Sequence, residues 1–150
     1  MTDRPTRGPP GQVPSPTVEV RGSNGESVVT SRLAMLPVLA APSEARAFVA
    51  EVCADHPMLP DLLLGISELV TNAVRHGGIP EESQVVVTTA AHAGRIRLEV
   101  SYPWPVFVAP TGLPEPDVAA GRGLAIVDAI ADRWGIIQSE GMVVWFEIDH

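Results

Sequence analysis

Lysine is absent from this sequence of 150 residues; all ten basic residues are arginines. That excludes a Walker A phosphate loop, which needs a lysine on the phosphates. It also excludes a Schiff-base lysine and a protein-kinase signature of the eukaryotic type. Cysteine is nearly absent: Cys53 stands alone, so no internal disulfide can form. Set among Phe48, Val49 and Val52, it reads as a small core residue ahead of a nucleophile. Positive charge is scarce as well. Ten basic residues face eighteen acidic ones, a net charge of -8, and a direct nucleic-acid binder needs a basic face. Such a balance suits a soluble acidic domain or one that docks to a basic protein. No apolar run reaches the roughly 18 residues of a membrane span, and the N-terminus lacks the apolar core of a signal peptide. The expectation is a cytoplasmic protein with no membrane contact. His56, His76, His92 and His150 show no metal-ligand spacing such as HExxH.

Hydrophobic residues make up 45% of the chain, enough to build one domain with a real core. Residues 1–25, rich in Pro, Gly, Ser and Thr, read as a disordered tail, and residues 26–150 as the domain. Within the domain, Ser27 to Leu36 reads as a strand. Pro42-Ser43-Glu44 starts a helix continuing through Ala54, and the strongest helix runs from Asp61 to His76. Its Leu62, Ile66, Leu69, Val70 and Ala73 recur at three- and four-residue steps, and Gly77-Gly78 ends it. Gln84–Ala90 and Arg95–Ser101 read as two strands joined at Ala93-Gly94. A proline-rich stretch from Pro103 to Pro116 precedes a helix from Gly123 to about Trp134, capped by Gly135. Ile136–Gln138 and Met142–Ile148 read as a closing hairpin, and Trp134 and Trp145 as core residues. This order implies a two-layer α/β sandwich: a mixed, mostly antiparallel sheet with helices on one face.

Two features could carry chemistry. Glu68, Asn72 and His76 lie one turn apart and form a polar stripe on the Asp61–His76 helix. An asparagine oxygen can ligate Mg²⁺, and a carboxylate one turn away can act as a general base. The same stripe also reads as a plain solvent face. His76 reads first as a cation favouring the helix C-terminus. The second feature is Gly121-Arg122-Gly123-Leu124, expected to open the next helix. Glycines let a backbone approach a ligand, and a helix N-terminus presents free N–H groups to a phosphate. An ordinary loop entering a helix is the competing reading.

Taken together, ELVTNAVRHG, then GRGLAIVDAIADRWG about forty-five residues later, then a closing VVWFEI strand, resemble the GHKL (histidine kinase-like) ATPase superfamily. The nearest likeness is to the anti-sigma-factor serine kinases and their single-domain actinobacterial relatives. The resemblance covers Ser27 to the end and implies a Bergerat-type ATP-binding fold. It implies that Asn72 holds Mg²⁺ on the ATP phosphates, that Glu68 is the general base, and that Gly121, Arg122, Gly123 and Leu124 border the phosphates. Pro103 to Ala120 would form a lid. The implied function is an ATP-binding regulator that binds a sigma factor, phosphorylates a serine or threonine on an anti-anti-sigma factor, or does both. Kinases of this kind are often dimers, so a homodimer is implied too.

One element departs from that pattern. The family carries an aspartate at a strand end that accepts from the adenine amino group; here Tyr102 stands in its place. A phenol is bulky and mostly neutral. Tyr102 could stack on adenine, Asp117 or Glu115 could compensate, or the ring could close the base pocket and leave a non-enzymatic interaction module. Trp104 beside it reads equally as a partner anchor or as a residue packed onto the domain.

Overall fold

The computed structural model describes residues 13–21, 27–103 and 118–150, with side chains for 27–103 and 124–150. Its described strands are β1 (Val13–Arg21), β2 (Ser27–Met35), β3 (Val85–His92), β4 (Arg95–Tyr102), β5 (Arg133–Gln138) and β6 (Met142–Asp149). The helices are α1 (Ala41–Val52), α2 (Leu59–His76) and α3 (Val118–Ile130). The strands form one sheet in the order β1-β2-β3-β4-β6-β5. Every pairing is antiparallel, so the expected parallel component is not found among them.

Strand period 2 decides which face is buried. In β4, Ile96, Leu98 and Val100 are buried, while Arg97 and Glu99 between them face outward. Their cross-strand partners continue the pattern, with Leu98 opposite Phe146 and Ile96 opposite Ile148. The helices cover this apolar face. α2 packs on β4 and is flanked by α1 and α3; α1 also meets β2, and α3 meets β5. The sequence of α2 specifies its ends. A proline sits in its first turn beside Asp61, and Arg75 and His76 occupy the last turn, complementing the helix dipole. Leu62, Ile66, Leu69, Val70 and Ala73 form its buried stripe, as their spacing requires.

Gly65 brings α2 close to the sheet. An ideal Cβ placed there would lie 2.5 Å from Cζ of Phe146, a ring that is itself fully buried.

Five expectations change. Part of the segment read as a disordered tail, Val13–Arg21, forms β1 and pairs with β2. Its prolines and small polar residues concealed it, and pairing with β2 supplies its hydrogen bonds. Helix α3 starts at Val118, not at Gly123. Ala119 and Ala120 are strong helix formers, and two interior glycines cost only about 1 kcal/mol each. The helix also ends earlier, at Ile130, because residues from Arg133 pair with β6 and tertiary pairing overrides the helical spacing. Gly135 is therefore a strand residue opposite Trp145, whose ring lies over it on the outer face. Trp145 is half-buried there, not in the core, with the Arg97 guanidinium 4.0 Å above its ring. Trp134 packs against the core from β5.

The outer face carries charge. Glu147 accepts hydrogen bonds from Arg133 at 2.8 Å and Arg97 at 3.2 Å. Burial alone would raise its carboxyl, but these arginines outweigh that and hold it below the usual range.

Candidate functional site

The strand registers gather one end of the domain. Met35 lies opposite Val85, Val86 opposite Ser101, and Tyr102 opposite Met142. The C-terminus of α2 reaches this end, where the Tyr102 ring comes 3.0 Å from an ideal Cβ on Gly77.

α2 has two flanks beside its buried stripe. On one, Ser67 accepts a hydrogen bond from Arg46 of α1 at 2.8 Å, and the same guanidinium donates to Ser43 at 3.0 Å. Glu68 follows Ser67 by about 100° around the helix, and Asn72 lies one turn beyond Glu68. Both therefore occupy the other flank, turned away from α1 and towards the side where α3 packs. Both side chains are half-buried, and His76 is exposed in the last turn. The arrangement sets a carboxylate and a carboxamide side by side on a rigid helix, in a half-open setting where they can meet a ligand.

Gly121, Arg122 and Gly123 lie within α3. They do not form a loop before it, which corrects the expected position of the glycine pair. Their side chains are outside the described set. Leu124, the last of that group, is half-buried and packs against the core.

Tyr102, at the end of β4, is half-buried and packs against the core. Burial pushes its phenol above the ordinary value, so it stays neutral at physiological pH. Its carbonyl oxygen stands 3.0 Å from an ideal Cβ on Gly141 in the β5–β6 turn. The ring thus packs against the end of α2 while the backbone of Tyr102 lies against that turn, a packing role that residue identity alone does not reveal. Trp104, Glu115 and Asp117, and most of the expected lid, lie outside the described residues.

Sequence reasoning missed two contacts. The Arg46–Ser67 bond pins α1 to α2 one residue before Glu68, and only the pairing of two helices could expose it. At the opposite end of the domain, His56 Nε2 lies 3.2 Å from His150 Nδ1, and His56 Nδ1 accepts the Met58 N–H at 3.0 Å. Burial, then the neighbouring His150, lowers the His56 pKa. Because Nδ1 is an acceptor, Nε2 carries the proton and is not offered to a metal. Cys53 is buried, and burial pushes its thiol up to about 11, so it is no nucleophile at neutral pH.

The fold is similar to that in a crystal structure of the RsbU and RsbW domains of Rv1364c from Mycobacterium tuberculosis. The TM-score is 0.58 at 23% identity, covering 79% of this chain and 32% of that one. This chain therefore spans about a third of the length of that relative. Residues 34–148, a span that holds the helical layer and most of the sheet, match the histidine kinase-like ATPase domain. The chain belongs to the histidine kinase-like ATPase domain family.

Proposed function

We propose that this domain binds Mg-ATP between α2 and α3 and acts as a regulator of the anti-sigma-factor kinase kind, working on a protein partner. The observation that carries this reading is the pair Glu68 and Asn72, one turn apart on the flank of α2 that faces α3, in a chain of this family. The donor set suits Mg²⁺. Asn72 offers a hard neutral oxygen. Among the described residues no cluster of three or more His, Cys, Asp or Glu could hold a metal alone. Mg²⁺ takes few protein ligands and completes its shell with water and phosphate oxygens. When bound, it would supply neutralisation of charge developing on the phosphates.

The chain's own residues would do the rest. Asn72 would hold the metal. Glu68 would accept the proton of an incoming serine or threonine hydroxyl. The rigidity of α2, fixed by Arg46 and by its packing on Phe146, would keep both groups in place. The partner is proposed to be a sigma factor, an anti-anti-sigma factor, or both.

A second reading has its own support. The Tyr102 ring packs against Gly77 at the strand end, where the family resemblance implies a carboxylate for adenine. A filled base pocket would leave an interaction module without catalysis.

Thermal melting with Mg-ATP separates the two. Ligand at a hundred times Kd stabilises by about 2.7 kcal/mol, or about 5–10 °C in Tm for a domain of this size. The first reading expects such a shift in the wild type, its loss in Asn72→Ala, and phosphate transfer to an anti-anti-sigma domain that Glu68→Gln abolishes. No shift in the wild type, together with no transfer, leaves the interaction module.

A further inference from the structure

The two edges of the sheet are built differently. β1 carries Pro14 and Pro16, whose nitrogens cannot donate, and its register breaks between Ser15 and Val18. Such devices discourage a further strand from pairing. β5, at the opposite edge, has neither proline nor lysine in its sequence RWGIIQ, and no described strand covers its outer side. Ile136 and Ile137 point to opposite faces of the sheet and are 46% and 47% exposed. The Trp145 ring spreads over Gly135 on the outer face, 2.9 Å from where a Cβ would stand.

Charge selects what could pair there. Exposed Asp132 and Glu140 lie beyond the two ends of β5. Arg133, the basic residue of the strand, is already engaged by Glu147 and Asp149. The edge therefore presents an apolar centre between acidic ends, on a chain of net charge -8, whose field draws in cationic partners.

We propose that the outer edge of β5 docks an extended segment of a partner protein by β-addition, the segment being apolar at its centre and carrying lysine or arginine at both ends. Main-chain hydrogen bonds would supply the pairing, and Ile136 and Ile137, on opposite faces, would take the alternating side chains.

The test uses the full chain and a synthetic nonapeptide, Lys-Lys-Thr-Val-Thr-Val-Thr-Lys-Lys, followed by NMR at low salt. The expected result is saturable binding with Kd of about 1 mM or below, with amide shifts concentrated in β5. Glutamates in place of the lysines are expected to weaken it at least about tenfold. N-methylation of the five central residues, which removes the donors but keeps every charge, abolishes it. Ile137→Lys also abolishes it without lowering Tm, while Leu39→Lys, at a remote residue that is 86% exposed, leaves it intact. Absence of saturation, equal binding of the methylated peptide, or shifts outside β5 overturns the proposal. So does sedimentation showing a wild-type dimer that Ile137→Lys dissolves while the peptide fails to bind, since the edge then serves a second copy of this chain.

Discussion

Gly65→Ala probes how tightly α2 is seated on the sheet, and its cost can be worked from the contacts. The added Cβ would meet Phe146 at 2.5, 2.9 and 3.0 Å, whereas carbon atoms rest at about 3.5–4.0 Å. Phe146 is wholly buried on the face of β6 that α2 covers, beside Leu98 of β4, so its ring has no solvent to turn into. Either the ring leaves its rotamer or α2 lifts, and overpacking of this kind costs about 1–3 kcal/mol. Alanine's better helix propensity offsets about 1 kcal/mol. The expected net loss is about 1 kcal/mol, a fall of about 2–4 °C in Tm. Urea unfolding of the wild type, Gly65→Ala, Phe146→Leu and the double variant isolates the clash. In the Phe146→Leu background the alanine becomes neutral or stabilising, giving a coupling of about 1–3 kcal/mol. A coupling below about 0.5 kcal/mol, or a Gly65→Ala protein more stable than wild type, refutes the close approach. Because α2 carries Glu68 and Asn72, the same variant is expected to weaken Mg-ATP binding even though it touches neither residue.

Three other outcomes are expected. Tyr102→Ala removes a half-buried ring packed against Gly77 and the core and lowers stability by about 1–3 kcal/mol; Tyr102→Asp raises ATP affinity if the ring closes the base pocket. Arg97→Met removes the cation above Trp145 and one partner of Glu147, shifting indole fluorescence while the far-UV signal stays unchanged. Acid stability follows two signs. His56 has a lowered pKa in the fold, so its contribution is full above the ordinary 6.5 and shrinks as pH falls below it. His56→Asn, which keeps an acceptor for the Met58 N–H, flattens urea midpoints between about pH 7.5 and 5.5. Glu147 is also held low, so its contribution is present above 4.5 and is lost as pH falls through its folded value; Glu147→Gln removes that acid limb.

Much of the fold was legible because hydrophobic period carries it. The α2 stripe, the alternation in β4 and the Gly94 turn, where φ is 74°, are local signals with local causes. The failures share a different cause. Arg133-Trp134-Gly135 has helical neighbours and a capping glycine, yet its partner is Glu147-Phe146-Trp145 in β6, and pairing outranked local preference. β1 lies in a Pro- and Ser-rich setting that reads as a tail, and is held by β2. The glycine pair near Arg122 read as a loop because glycine usually punctuates, whereas Ala119 and Ala120 carry the helix through it. For the site, the one-turn spacing of Glu68 and Asn72 was visible in the sequence. Which flank of α2 they occupy was not, since Arg46 of α1 and the packing of α3 decide it. Tyr102 stood out as a departure in residue type, but its wedging against Gly77 depends on where α2 ends in space.

The most direct test of the central proposal is a calorimetric titration of Mg-ATP into the wild type and into Asn72→Ala, each shown to be folded by its melting transition. A saturable one-to-one binding heat that needs Mg²⁺ is expected in the wild type and is lost in Asn72→Ala. A folded wild type that gives no binding heat, or an Asn72→Ala protein that binds as tightly, contradicts it.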